Sequence, residues 1–98
     1  MEKIVPHCAL SEVKRLVGAG QIRATRSALE GAAQLGMGFE DVVETVAKLT
    51  MDDFYKSMTT YADHRIWQDV YRPMTPAGEV YLKLTVVEDV LIVSFKEL

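Results

Sequence analysis

Seven side chains in the second half of the chain could together act on a phosphodiester without a metal ion. They are Tyr55, Lys56, Met58, Gln68, Arg72, Tyr81 and Lys96. A cation beside a phosphate stabilises the charge that develops in the transition state, a tyrosine can donate a proton, and a lysine crowded by other cations has a lowered pKa and can act as a base. Glutamine can bond a phosphate or a base edge, while aromatic and methionine side chains can hold a base. The set points to RNA chemistry, although lysines and tyrosines on a sheet most often only face water.

The segment 54–72 supplies five of these side chains and reads as two strands. Strict alternation places on one face Phe54, Lys56, Met58, Ile66, Gln68, Val70 and Arg72, and on the other Tyr55, Ser57, Thr59, Trp67, Asp69 and Tyr71. A purely structural strand pair separates apolar from polar residues with a period of two. The mixture on both faces is typical of a sheet that binds or catalyses.

The last twenty residues predict a hairpin with a definite register. A two-residue turn at Glu88 and Asp89 would give a consistent apolar face. Its pairs would be Val86 with Leu91, Leu84 with Val93, and Leu82 with Phe95. On the opposite face, the same register places Lys83 beside Ser94 and Tyr81 beside Lys96.

Helical spacing of apolar residues predicts about three helices in the first half of the chain. Ser11 and Thr25 are expected to cap the first two, and the third covers 39–49. A capping pattern at 50–53 predicts one further turn, and the prolines of 73–78 mark a loop before the hairpin. We therefore expect one α+β domain, 1–98, in which the helices pack on a small, mostly antiparallel sheet of about four strands.

Composition and charge exclude several classes of protein. Ninety-eight residues suit one domain. The single cysteine, Cys8, excludes an internal disulfide and fits a reducing cytoplasm. The N-terminus lacks the apolar segment of a signal peptide, and no apolar run approaches the ~20 residues of a membrane span. The net charge of −3 argues against a simple electrostatic nucleic-acid binder. Lys14, Arg15, Arg23 and Arg26 are either a local basic patch or a solvated helix face.

Three other kinds of site are weaker interpretations. His7 and His64 could form an acid–base pair, but nothing in the sequence brings them together. Several acids could gather round Mg²⁺, yet helix caps and turns explain their positions better. These acids are Asp52, Asp53, Asp63, Asp69, Glu88 and Asp89. The glycines at 18 and 20 lack the lysine of a phosphate-binding loop. We expect no metal and no cofactor.

Long strings of the sequence closely resemble the MqsR toxin family. They are DFYKSMTTY at 53–61, DH at 63–64, IWQDVYRP at 66–73, VYLK at 80–83 and DVLIVSFKE at 89–97, with shorter matches at 6–7, 20–21 and 25–29. Strings of this length are highly specific, and the resemblance covers essentially the whole chain. Departures lie mainly at 30–51 and 74–77, on helix surface and loop, so they bear on pairing with an antitoxin more than on chemistry.

The resemblance implies a RelE-like fold and a metal-independent messenger-RNA interferase that favours GCU sites. The family's catalytic residues fall on Lys56, Gln68 and Tyr81. Substrate-binding residues are expected around them at Tyr55, Met58, Arg72 and Lys96. The implied partners are mRNA and a cognate antitoxin with a zinc-binding, toxin-binding region and a helix-turn-helix DNA-binding region, and no membrane is involved. The alternative is a non-catalytic module that only binds an antitoxin or nucleic acid.

Overall fold

The structure is a computed structural model that describes residues 1–98 as three helices and seven strands. The helices are α1 (Leu10–Gly18), α2 (Arg26–Gln34) and α3 (Phe39–Ala47), followed by a 3₁₀ turn at Met51–Asp53. The strands are β1 (Glu2–Lys3), β2 (Ile22–Ala24), β3 (Phe54–Thr59), β4 (Trp67–Tyr71), β5 (Met74–Thr75), β6 (Gly78–Val87) and β7 (Asp89–Glu97). None of the helices has the length and apolar composition that a membrane crossing needs.

The sheet is larger than predicted. Its strand order is β1-β3-β4-β6-β7-β2, and β5 pairs with β6 beside this path. β2 runs parallel to β7, whereas all other neighbours are antiparallel. The α+β class is therefore right, but the prediction of about four strands is wrong. The missed strands β1, β2 and β5 have only two or three residues each, and alternation over so few residues carries no signal.

One face of the sheet packs against all three helices and forms the core. Its buried side chains from β6 are Val80, Leu82 and Leu84, and they share one apolar cluster with Val13 of α1 and Val46 of α3. The sheet face that carries no helix is called the open face below. Successive residues of a strand point to opposite faces, so the odd-numbered residues of β6 lie on the open face.

The helix termini follow the sequence in part. Thr25 caps α2, since its Oγ1 accepts the N–H of Ala28 at 3.1 Å. The predicted Ser11 cap is wrong because α1 already begins at Leu10, with Ala9 as its N-cap. The buried carboxylate of Asp69 accepts hydrogen bonds from the backbone N–H groups of His7 and Cys8, the two residues before Ala9. This tertiary contact fixes the chain just before the helix.

The β6–β7 hairpin has a different turn from the predicted one. The chain reverses at Glu88 alone, which adopts a φ of +72°, and Val86 pairs with Val90 instead of Leu91. A bulge then restores the expected register, so that Lys83 lies opposite Ser94 and Tyr81 opposite Lys96. The predicted register is therefore confirmed at the end of the hairpin that carries Tyr81. It is wrong by one residue near the turn, because a bulge adds one residue to β7.

Helix α2 approaches β7 at a glycine. A Cβ on Gly31 would overlap the backbone oxygen of Phe95. Ala28 and Ala32, on the same helix, are fully buried. Only the smallest side chains permit this close approach, which seats α2 against the same strand that carries Lys96 on the open face.

Candidate nucleic-acid-cleaving site

The middle of the open face is a row of residues drawn from four neighbouring strands. Lys56 of β3 lies opposite Val70 of β4, Val70 lies opposite Lys83 of β6, and Lys83 lies opposite Ser94 of β7. Adjacent strands are about 4.8 Å apart, so the Cα atoms of Lys56 and Lys83 are roughly 10 Å apart. Two lysine ammoniums can therefore converge over the apolar side chain of Val70.

Two flanking rows bring the remaining candidate side chains to the same face. On one side, Met58 lies opposite Gln68. On the other side, Tyr81 lies opposite Lys96. Tyr71 pairs with Leu82, so the next antiparallel positions, Arg72 and Tyr81, are also neighbours. The register thus gathers Lys56, Gln68 and Tyr81 from three different strands.

Tyr55 reaches this face because β3 is irregular at its start. The register shifts between Phe54 and Lys56, which leaves Tyr55 as an extra residue in the strand. Its ring centroid is 4.6 Å from the Arg72 guanidinium and 5.3 Å from Lys56 Nζ. Strict alternation assigned Tyr55 to the opposite face from Lys56 and Arg72, and that assignment is wrong because the irregularity changes the parity of the strand.

Lys56 is held in its charged form by an acid from β1. Its Nζ donates to Glu2 Oε2 at 2.7 Å, and 23% of the lysine side chain is exposed. This hydrogen bond raises the pKa of Lys56, and weaker interactions with the phenols of Tyr55 and Tyr81 act in the same direction. The strand register places the side chains of Lys56 and Tyr81 on the same side of the sheet. A lysine that keeps its proton stabilises negative charge better than it accepts a proton.

Tyr81 is flanked by two ammonium groups. Lys96 Nζ is 5.3 Å and Lys83 Nζ 5.9 Å from the centroid of its ring. Lys83 was not among the predicted site residues, although its spacing of two from Tyr81 placed it on the same face. Around Tyr81 the open face thus holds four cations, Lys56, Arg72, Lys83 and Lys96, and two acids, Glu79 and the Lys56 partner Glu2, on a chain whose net charge is −3. Such a local excess of positive charge attracts polyanions.

Comparison with known proteins identifies the family. Residues 5–97 match the family described as motility quorum-sensing regulator, toxin of MqsA. The chain belongs to the MqsR toxin family. It is also 62% identical over 97 residues to the mRNA interferase toxin MqsR of Escherichia coli (strain K12), and the match covers 99% of each protein. The family resemblance read from the sequence is confirmed, and membership of a toxin family implies an antitoxin partner.

In this MqsR-family chain the two histidines do not lie together. The ring of His7 stacks on Trp67 with a centroid separation of 5.6 Å. By alternation with Asp69, Trp67 points away from the open face. His64 lies in the loop between β3 and β4 and lines a hollow that also includes two open-face residues, Glu2 and Met58. The structure therefore does not place a histidine pair at the site.

The acids and the N-terminal basic residues mostly pair with each other. Asp89 forms an ion pair with Arg23 and Asp63 with Arg65, while the carboxylate of Asp69 accepts hydrogen bonds from backbone N–H groups. No three side chains of His, Cys, Asp or Glu come together in a way that could hold a metal ion. Arg15 and Arg26 also bind neighbouring glutamates of their own helices, so the N-terminal patch is a solvated, ion-paired surface.

Proposed function

We propose that this chain is the toxin of a type II toxin–antitoxin system and an endoribonuclease that cuts mRNA without a metal ion. The observation that carries the proposal is that Lys56, Gln68 and Tyr81, from β3, β4 and β6, lie on three consecutive rows of the open face, with Lys56 in the middle row. The similarity to the mRNA interferase toxin of Escherichia coli supports the same function.

The proposed reaction is an in-line attack of a ribose 2′-oxygen on the adjacent phosphorus. The bond between the 2′-oxygen and phosphorus forms as the bond between phosphorus and the 5′-oxygen breaks. The 2′-hydroxyl loses a proton and the departing 5′-oxygen gains one. The products are a 2′,3′-cyclic phosphate and a free 5′-hydroxyl. This route needs no attacking water, so the protein has to supply only charge stabilisation, orientation and two proton transfers.

The side chains divide these tasks by their charge and position. Lys56, kept protonated by Glu2, stabilises the negative charge that builds on the phosphoryl oxygens. Tyr81, next to the Lys96 ammonium, gives its phenolic proton to the 5′-oxygen, because a nearby cation stabilises the phenolate that forms. Gln68 positions the phosphate or a base edge through its amide.

The outer residues of the site suit binding of the flanking nucleotides. Arg72 can hold a backbone phosphate, and Tyr55, which is 47% exposed, offers a ring on which a base can stack. Met58, beside Gln68, provides apolar contact to a base. We infer that the preferred sequence is GCU and that the site of action is the cytoplasm, where mRNA is found. The antitoxin partner is inferred to combine a zinc-binding region, which binds the toxin, with a helix-turn-helix region.

The proposal predicts RNA cleavage in the presence of EDTA. Purified protein is incubated with a single-stranded RNA that contains one GCU, and the fragments are analysed by mass spectrometry. We expect cleavage at that site, with cyclic-phosphate and 5′-hydroxyl ends, at a rate that EDTA does not change. RNA that is shifted in a gel but stays intact would instead support the non-catalytic binding module. Activity that disappears with EDTA and returns with Mg²⁺ would contradict the metal-free reaction.

A further inference from the structure

Lys83 occupies the centre of the open face, and the reaction proposed above does not use it. It lies in the same row as Lys56 of β3, with Val70 of β4 between the two lysines, and Ser94 of β7 is on its other side. Along β6 it is two residues from Tyr81. Its Nζ is 5.9 Å from the centroid of the Tyr81 ring. The side chain is half-buried, because the neighbouring strands enclose its aliphatic part. Lys83 is therefore within reach of any phosphate that contacts both Lys56 and Tyr81.

The charged groups around Lys83 are almost all cations. Lys56 approaches from β3, Arg72 from the end of β4 and Lys96 from β7. Val70 and Ser94, which lie directly opposite it, are neutral. Glu2 from β1 is already bound to Lys56, and Glu79, the nearest acid on the same face of β6, lies beyond Tyr81. Lys83 has no carboxylate partner, unlike Lys56.

These surroundings make Lys83 a better proton acceptor than an ordinary lysine. Partial burial lowers the pKa of its ammonium, and the repulsion of Lys96 and Lys56 lowers it further. Burial and like charges both disfavour the protonated form of an amine. The pKa values of the two central lysines are thus shifted in opposite directions. Glu2 favours the protonated form of Lys56, and the surroundings of Lys83 favour its neutral amine. Paired groups whose environments separate their pKa values are a usual arrangement for an acid or stabiliser and a base.

We propose that Lys83 is the general base that removes the 2′-hydroxyl proton in the cleavage reaction. This assignment rests on the proposed function of the open face. The neutral Nζ of Lys83 takes the proton as the 2′-oxygen bonds to phosphorus, and it becomes an ammonium. Tyr81 loses its proton to the departing 5′-oxygen and becomes a phenolate. The Lys83 ammonium and the Tyr81 phenolate then exchange a proton through solvent, which restores both groups and leaves no net change in the enzyme.

The first test replaces Lys83 by Arg and by Gln in the full chain. Arginine keeps the positive charge but cannot lose its proton at accessible pH. If Lys83 is the base, both variants lose activity, by about 100-fold or more. If Lys83 only attracts phosphate, Lys83→Arg retains most of the activity, and that result would overturn the proposal. Lys48→Arg and Lys48→Gln are matched controls, because Lys48 is an exposed lysine that follows α3 and pairs with Glu44. Circular dichroism and binding of an RNA with a 2′-deoxy cleavage site check that each variant folds and binds.

A pH profile provides the readout that a structural role would not change. For the wild type, the single-turnover rate should rise with pH as Lys83 loses its proton, with a midpoint below the usual lysine value of about 10.4. A Lys83→Cys variant is then made in a Cys8→Ser background and alkylated with bromoethylamine. The resulting side chain has the length of lysine but a more acidic ammonium.

The alkylated variant should regain activity, with its profile moved to lower pH. No recovery, or recovery with an unmoved profile, would overturn the role of Lys83 while leaving the proposed function intact. Cys8 itself lies next to Asp69 on the helix side of the sheet, so the Cys8→Ser background should cleave RNA like the wild type. Absence of cleavage by the wild type would instead refute the ribonuclease function itself.

Discussion

Replacing Lys56 by Ala is expected to slow RNA cleavage by about 100- to 1,000-fold, the usual loss when one preorganised donor to a developing oxyanion is removed. Among the four cations around Tyr81, only Lys56 is fixed by an ion pair, through Glu2 at 2.7 Å. The Glu2 contact therefore orients the ammonium and keeps it charged before RNA arrives. Single-turnover cleavage of a GCU-containing RNA, together with the loss of growth arrest on expression, measures the effect.

The fold should survive this substitution, so that the loss can be attributed to chemistry. The Lys56–Glu2 pair is partly exposed to solvent, and exposed ion pairs contribute little to stability. Lys48→Ala is the matched control: it removes another lysine from an ion pair of the same length, 2.7 Å, at the C-terminal end of α3. If Lys56→Ala cleaved RNA as fast as Lys48→Ala does, Lys56 would have no role in catalysis.

Tyr81→Phe should reduce the cleavage rate by about 100- to 10,000-fold, the range for loss of a positioned acid or base. The substitution keeps the ring, and with it the contacts to Lys83 and Lys96, but deletes the proton that the 5′-oxygen is proposed to receive. RNA binding should therefore change little while the chemical step slows. Binding of the 2′-deoxy RNA and single-turnover rates measure the two effects separately.

The chain offers a close control for this loss of a phenol. Tyr71 is fully buried on the helix side of the sheet, and its hydroxyl has no hydrogen-bond partner. Removing an unpaired buried hydroxyl relieves a desolvation cost, so Tyr71→Phe should be at least as stable as the wild type and fully active. Equal activity of Tyr81→Phe and Tyr71→Phe would contradict a proton-donating role for Tyr81.

Much of the open face could be predicted because a period of two is a strong constraint. The neighbours Tyr81 and Lys96 follow from the apolar alternation of β6 and β7, since a slip of one residue would bury lysines. The same alternation places Lys83 on this face. The role proposed for Lys83 could not be predicted, because the sequence alone does not reveal that Lys56 has an acid partner from β1 whereas Lys83 has none.

The remaining features depend on contacts that a single sequence does not encode locally. Two strands each contain one extra residue. In β3 it turns Tyr55 towards Arg72, and in β7 it shifts the pairing near the turn. A periodic pattern gives no sign of where an extra residue occurs. Strands β1, β2 and β5 form only because longer strands offer them a free edge. The start of α1 is set by Asp69, about sixty residues away, rather than by the expected Ser11.

The most direct test of the central claim is to locate bound RNA on the protein by nuclear magnetic resonance. A GCU-containing RNA with a 2′-deoxy nucleotide at the cleavage site binds but cannot react by the proposed route. Titrated into isotope-labelled protein, it should shift signals of the open-face rows, above all those of Lys56, Gln68, Tyr81 and Lys83. Shifts confined to the helices, with these four residues unchanged, would contradict the proposed site.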